Sequence, residues 1–175
     1  MNKMPNSTLM AWQDHEPKVG KDVFLASGAA VIGQVELGDE VNIWFNTVIR
    51  GDVNKIKIGA RTNIQDNTTV HVTAKTGPTK IGCDVTIGHN AVIHACTIED
   101  ECLIGMGSTI LDGAVIRARC FVAAGSVVTP GKEMPSGMMV MGSPAKAVRP
   151  LTQAELVFLK QSAKDYVETA RSYRK

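Results

Sequence analysis

Aliphatic side chains recur at every sixth position over most of this chain. Val19, Leu25, Val31, Leu37, Ile43 and Ile49 form one series. Ile58, Ile64 and Val70 resume it after an offset of three residues. Ile81, Ile87 and Ile93 form a third series, and Ile98, Ile104, Ile110, Ile116, Val122 and Val128 a fourth. Neither an α-helix nor a hairpin strand has a period of six, so the pattern predicts a solenoid. Within each hexapeptide the aliphatic residue points inward and the next one outward, because side chains alternate along a strand. Gly, Asp and Asn supply the bends. Three short strands and three bends close a triangular coil, and the eighteen aliphatic steps make about six coils. The expected fold class is an all-β solenoid, a parallel β-helix. A β-sandwich, the rival arrangement, has no reason to keep a strict period of six.

The repeat is expected to end near Thr129-Pro130-Gly131, so that residues 1–150 form the repeat domain with its lead-in and closing loop. Residues 151–175 read as a C-terminal helix. Thr152 and Glu155 make a capping box, with Leu151 and Leu156 as its hydrophobic staple. Leu156, Leu159, Ala163, Tyr166, Val167 and Ala170 give one apolar stripe, to be packed back along the prism or against a neighbour.

Three irregularities interrupt the period. Ile49 to Ile58 is nine residues, Val70 to Ile81 is eleven with a loop at 73–80, and Ile93 to Ile98 is five. Departures from a regular scaffold are where function is commonly attached. Three of the four histidines, His71, His89 and His94, lie at these breaks. A face recurs every third strand, so the strands at Ile49, Val70 and Ile93 stack, and Arg50, His71 and His94 point outward in one column. Imidazoles on coils about 4.8 Å apart can converge on one metal ion with bonds near 2.0–2.1 Å. His89 follows Ile87 on another face, together with Gln65 and Trp44 from the coils below. That face can meet the His71/His94 column of a neighbouring prism. Three prisms around a three-fold axis would then close a ring of heterologous interfaces, with two histidines from one chain and one from the next at each site. A lone outward histidine is more often just a solvated surface residue. Two in one column, with a third five residues before the second, favour a metal site.

Composition narrows the alternatives. Aromatic residues make up only 5%, as a narrow repetitive core requires. Nineteen basic and seventeen acidic residues leave a formal charge of +2, so neither nucleic acid nor an anionic membrane is implied as a partner. The N-terminal stretch lacks the apolar run of a signal peptide, and no stretch is long enough to span a bilayer, so a cytoplasmic location is expected. Cys83, Cys96, Cys102 and Cys120 form no C-x-x-C pair and read as small buried fillers in a reducing compartment. His15 precedes the repeats and receives no role.

With these residues in view, a family resemblance is evident. Arg50-Gly51-Asp52, Ile64-Gln65-Asp66-Asn67, His71 and the run from Ile87 to His94 resemble the gamma-class carbonic anhydrases in order and spacing, and Gly142-Ser143-Pro144-Ala145-Lys146 is similar to their C-terminal signature. The resemblance covers the chain from about Pro17 to the final helix. It implies a left-handed β-helix, whereas the general crossover rule alone would give the right-handed form. It implies zinc, with ferrous iron or cobalt as alternatives, on His71, His89 and His94. It implies that Arg50 and Asp52 pair across a subunit interface of a homotrimer, and that Gln65 and Asp66 stand beside the metal as catalytic residues, Gln65 orienting water or bicarbonate. Val53 and Ala74 occupy positions where the family prototype carries proton-moving acids, and Val140 one where many relatives carry Tyr. These departures match the short-loop branch of the family.

The chemistry implied is reversible hydration of carbon dioxide. Three histidines leave a fourth zinc position open, where water ionises near pH 7 and the hydroxide attacks carbon dioxide. The released proton normally needs a shuttle, and no candidate shuttle stands out. A non-catalytic metal-binding trimeric scaffold is the second reading. An acyltransferase on the same repeat is the third, needing one histidine as general base and a groove for a thioester.

Overall fold

The computed structural model describes residues 1–173, so Arg174 and Lys175 at the end of the expected helical span lie outside the described residues. The chain winds into a parallel β-solenoid whose inward side chains are the periodic aliphatic residues. One face stacks eight parallel strands: Asn2–Lys3, Phe24–Leu25, Asn42–Ile43, Asn63–Ile64, Thr86–Ile87, Leu103–Ile104, Phe121–Val122 and Met138–Gly142. The prism therefore has about eight turns rather than about six. The repeat also runs past Thr129-Pro130-Gly131, to Met134 and Val140, both inside the core. At the other end Asn2–Lys3 and Thr8–Met10 pair onto the first aliphatic strands. These steps escape a six-residue aliphatic count because Lys3 and Met134 are not aliphatic and Leu9 stands ten residues before Val19, and Pro130 and Pro135 sit in corners of the coil rather than ending it.

Strand register fixes the faces. Ile64, Ile87 and Ile104 are neighbours on the face just described. Ile49, Val70, Ile93 and Ile110 are neighbours on a second, and Ile58, Ile81, Ile98 and Ile116 on a third. The long strands Ala30–Leu37 and Val48–Ile58 run from the second face into the third and join those two in one sheet. Corners are built by residues at positive φ, including Asn46, Asn67, Asp84 and Asn90 as the bend chemistry predicts, but also Glu40, Arg61, Ala95, Glu101 and Arg119. Buried threonines tie successive coils together: Thr47 Oγ1 donates to the Gln65 carbonyl at 2.7 Å and Thr62 Oγ1 to the Gly82 carbonyl at 2.7 Å. Gly59 lets two coils meet, since a Cβ there would lie 2.5 Å from the Gly82 carbonyl carbon.

The helix Gln153–Ser172 starts at the expected capping box, with Thr152 and Glu155 bonding each other's backbone N–H. It packs on its own prism, against the face carrying Asn42–Ile43, Asn63–Ile64 and Thr86–Ile87. Leu159, Ala163, Val167 and Ala170 are its buried positions. It runs back toward the first coils: Phe158 stacks on Phe121, Tyr166 meets Trp44 edge-on at 5.4 Å, and Tyr173 reaches Phe24. Among the described residues no helix is long and apolar enough to cross a membrane.

Candidate metal centre

The three irregularities of the period converge on one patch of the surface. The extra residues between Ile49 and Ile58 sit at a register shift: Gly51 pairs with Gly33, but the next pair is Ile56 with Val35. Asp52 leaves the ladder there, and Asn54 Nδ2 anchors the bulge by donating to the Thr73 carbonyl at 3.0 Å. The extra residues after His71 form a closed turn in which Thr73 and Gly77 bridge each other. The shortened step after Ile93 places Ala95 at positive φ, with its N–H bonded to the His71 carbonyl at 3.1 Å.

His71 and His94 are register partners on adjacent strands. His71 Nδ1 faces His94 Nε2 at 3.2 Å. The other nitrogen of each ring meets a carboxylate. His71 Nε2 lies 3.0 Å from Asp52 Oδ1, and His94 Nδ1 lies 2.6 Å from Asp112 Oδ1. Asp52 is also paired with Arg50, and Asp112 accepts from the Thr73 hydroxyl through its second oxygen. Burial opposes ionisation of Asp52, but hydrogen bonds from His71, the Val53 N–H and Arg50 outweigh it and hold the carboxyl below the ordinary aspartate range. The Thr73 hydroxyl and then His94 do the same for Asp112, against a smaller burial effect. An ionised carboxylate only accepts hydrogen bonds. Each imidazole therefore donates outward, and with both rings neutral the two facing nitrogens are left with lone pairs. Two lone pairs 3.2 Å apart suit a shared positive charge, a proton or a metal ion. Metal bonds of about 2.0–2.1 Å to those nitrogens would enclose an angle of roughly 100°, near tetrahedral. Carboxylates behind histidine ligands are the usual supporting arrangement of such sites. The residues present fit a metal ion.

His89 lies elsewhere, at the corner after Thr86–Ile87 on the helix-bearing face. Its Nδ1 is 2.7 Å from Asp66 Oδ2, on the corner one coil below. Gln65 is buried, and its carboxamide donates to Asn63 Oδ1 at 3.1 Å. Gln65, His89, Met106, Phe158 and Tyr166 line a mostly apolar groove of about 540 Å³ between helix and sheet. Burial raises the Tyr166 phenol, with the charge of Asp66 adding to it. Within one chain the structure thus unites Arg50, Asp52, His71 and His94, and separately His89, Gln65 and Asp66. Among the described residues no group of three or more His, Cys, Asp or Glu is arranged to hold a metal within the single chain. Arg50 and Asp52 pair with each other inside the chain. Cys96 is buried with its thiol pushed up to about 12 by burial, as suits a filler rather than a ligand. All four cysteines are free.

Sequence reasoning gave no site role to Asp112, Thr73 or Tyr166. A signal existed for the first: Asp112 lies two residues after Ile110, the register partner of Ile93, on the coil beyond His94.

The solenoid and this patch define a hexapeptide-repeat protein. The sequence family described as "Bacterial transferase hexapeptide (six repeats)" matches residues 16–51, 78–110 and 95–130. The chain is 52% identical over 170 residues to gamma carbonic anhydrase 2, mitochondrial, of Arabidopsis thaliana, covering 94% of this chain and 61% of that protein. It is 42% identical over 158 residues to the carbonic anhydrase of Geobacillus kaustophilus, covering 90% of this chain and 86% of that protein. The crystal structure of a hexapeptide transferase family protein from Anaplasma phagocytophilum superposes with a TM-score of 0.92 at 43% identity, covering 97% of this chain and 99% of that one. The chain belongs to the gamma-class carbonic anhydrase family. It spans less than two thirds of the length of the plant relative it matches.

Proposed function

We propose that this protein is a metal-dependent carbonic anhydrase whose active sites lie between the subunits of a homotrimer. The observation that carries the reading is the pair of imidazole nitrogens 3.2 Å apart, each ring held from behind by a carboxylate. His71 and His94 of one chain and His89 of the next would hold the metal, zinc first and ferrous iron or cobalt as alternatives. A bound divalent metal lowers the pKa of a water molecule to about 7 and so supplies a nucleophile for carbon dioxide at neutral pH. Gln65 would orient the substrate: it shares the groove wall with His89, and that wall is mostly apolar, as suits carbon dioxide. Asp66 keeps the His89 ring oriented. Arg50 and Asp52 sit at the edge of the histidine column, where a neighbouring chain would engage their ion pair. Four free cysteines suit a reducing compartment such as the cytoplasm.

The test has two arms. Elemental analysis with sedimentation should find about one metal per chain, present only in the trimer. Stopped-flow carbon dioxide hydration should show activity in zinc-loaded or anaerobic iron-loaded protein. A monomer retaining stoichiometric metal would sink the shared site. A metal-replete trimer with no hydration at any buffer concentration would leave the scaffold reading in its place.

A further inference from the structure

We infer that Asp112, clamped by Thr73, is a positioning residue that sets the tautomer and direction of His94 for metal binding. The inference rests on the reading of His71 and His94 as ligands. The family resemblance assigns no role to either Asp112 or Thr73.

Asp112 comes from the coil beyond His94 and spends both oxygens. Oδ1 takes the His94 Nδ1–H at 2.6 Å, and Oδ2 takes the Thr73 hydroxyl. Asp52 stands on the opposite side of the histidine pair and takes the His71 Nε2–H. The two carboxylates thus bracket the stack from the coils below and above. The bond to Asp112 fixes which His94 nitrogen carries the proton, and the Nδ1–H tautomer is the one that turns the Nε2 lone pair toward His71. Thr73 determines whether Asp112 can hold that position, because it occupies the second oxygen. Thr73 is itself placed by the irregular loop, through its backbone bridge to Gly77 at 2.9 and 3.3 Å. The extra residues after His71 therefore act on His94, about one coil further along the chain but adjacent in space.

The test reads metal affinity and tautomer, not turnover. Zinc affinity is measured by chelator competition on the trimer for wild type, Asp112→Ala, Asp112→Asn and Thr73→Val. Asp112→Ala should weaken zinc about 10- to 100-fold, the range for lost partners of metal-binding histidines. Asp112→Asn keeps an acceptor for Nδ1–H and should recover part of the loss. Thr73→Val should lose a few fold. Long-range ¹H–¹⁵N spectra of the zinc-free wild type should show His94 as the Nδ1–H tautomer, and Asp112→Ala should show a mixture. Should Asp112→Ala misfold, the Thr73→Val affinity and the wild-type tautomer still decide. Variant affinities within twofold of a zinc-binding wild type would overturn this inference alone. A wild type that binds no zinc would overturn the proposed function with it.

Discussion

Gly77→Ala should damage the metal centre without touching it. A Cβ at Gly77 would sit 2.7 Å from the Thr73 Cβ and 2.8 Å from the Ala95 Cβ. Carbon atoms prefer about 3.5–4.0 Å, so both contacts are repulsive. Gly77 is not among the residues at positive φ, so the penalty is steric rather than conformational. Neither neighbour is the end of a flexible side chain. Relief requires the loop backbone to move, which opens the Thr73–Gly77 bridge. Overpacking of this kind costs about 1–3 kcal/mol. At about 2–4 °C per kcal/mol for a chain of this size, calorimetry on metal-free protein should show the melting temperature lowered by about 2–12 °C. Thr73 is carried off Asp112 by the same movement, so zinc affinity should fall alongside. Thr73→Val provides the control: it removes the hydroxyl without adding bulk and should cost only about 0.5–1.5 kcal/mol. A Gly77→Ala protein with wild-type melting and wild-type zinc affinity would show that the loop relaxes freely and would refute the reasoning.

Three further outcomes are expected. Asp52→Ala should shift the trimer toward smaller species in dilute sedimentation runs, because Arg50 and His71 both lose their shared partner; the cost approaches about 3–5 kcal/mol only where the interface buries the pair, and is nearer about 1 kcal/mol while Arg50 remains in solvent. A variant that stays trimeric at low concentration would remove Asp52 from assembly. Hydration should be limited by proton release and rise with imidazole concentration at fixed pH, since exposed Val53 and Ala74 offer no acid, and Val53→Glu should lessen that dependence; fast turnover in dilute buffer would reveal a shuttle among other residues. Stability should decline in acid. Asp52, Glu99 and Asp112 are held below their ordinary values and Glu155 near 2 by Arg149 and the Thr152 N–H. The unfolded chain therefore binds more protons across that window, and stability is lost as pH falls from about 5 toward 2. Circular dichroism melts that stay flat over that range would contradict the sign.

The parts of this molecule that can be read from sequence are those the coil repeats. A six-residue spacing assigns each aliphatic residue to one of three faces, and the observed register pairs His71 with His94 and stacks Ile64, Ile87 and Ile104 accordingly. What repeats poorly is harder to see. The terminal coils put Lys3 and Met134 in register with aliphatic steps, and Leu9 stands ten residues before Val19, so a six-residue aliphatic count stops short of them. The helix stripe specifies which residues are buried but not against which prism, because an apolar stripe carries no address. That carboxylates stand behind the histidines is hidden for another reason. They share no local motif: Asp52 sits in an RGD run, Asp66 after a glutamine, Asp112 before a glycine. Their common property emerges only when sequence separation is measured in coils. His94 and Asp112 are 18 residues apart and His71 and Asp52 are 19 apart. The separation of His89 from Asp66 is larger because it spans the irregular loop. In each case the carboxylate is one coil from its histidine, above or below. In a solenoid, then, a ligand's supporting residue should be sought one turn away, with local insertions added to the turn length. The coil after His94 is seventeen residues long, the Ile93–Ile110 register, so one turn on is Leu111, and Asp112 is the one acidic residue within two positions of it.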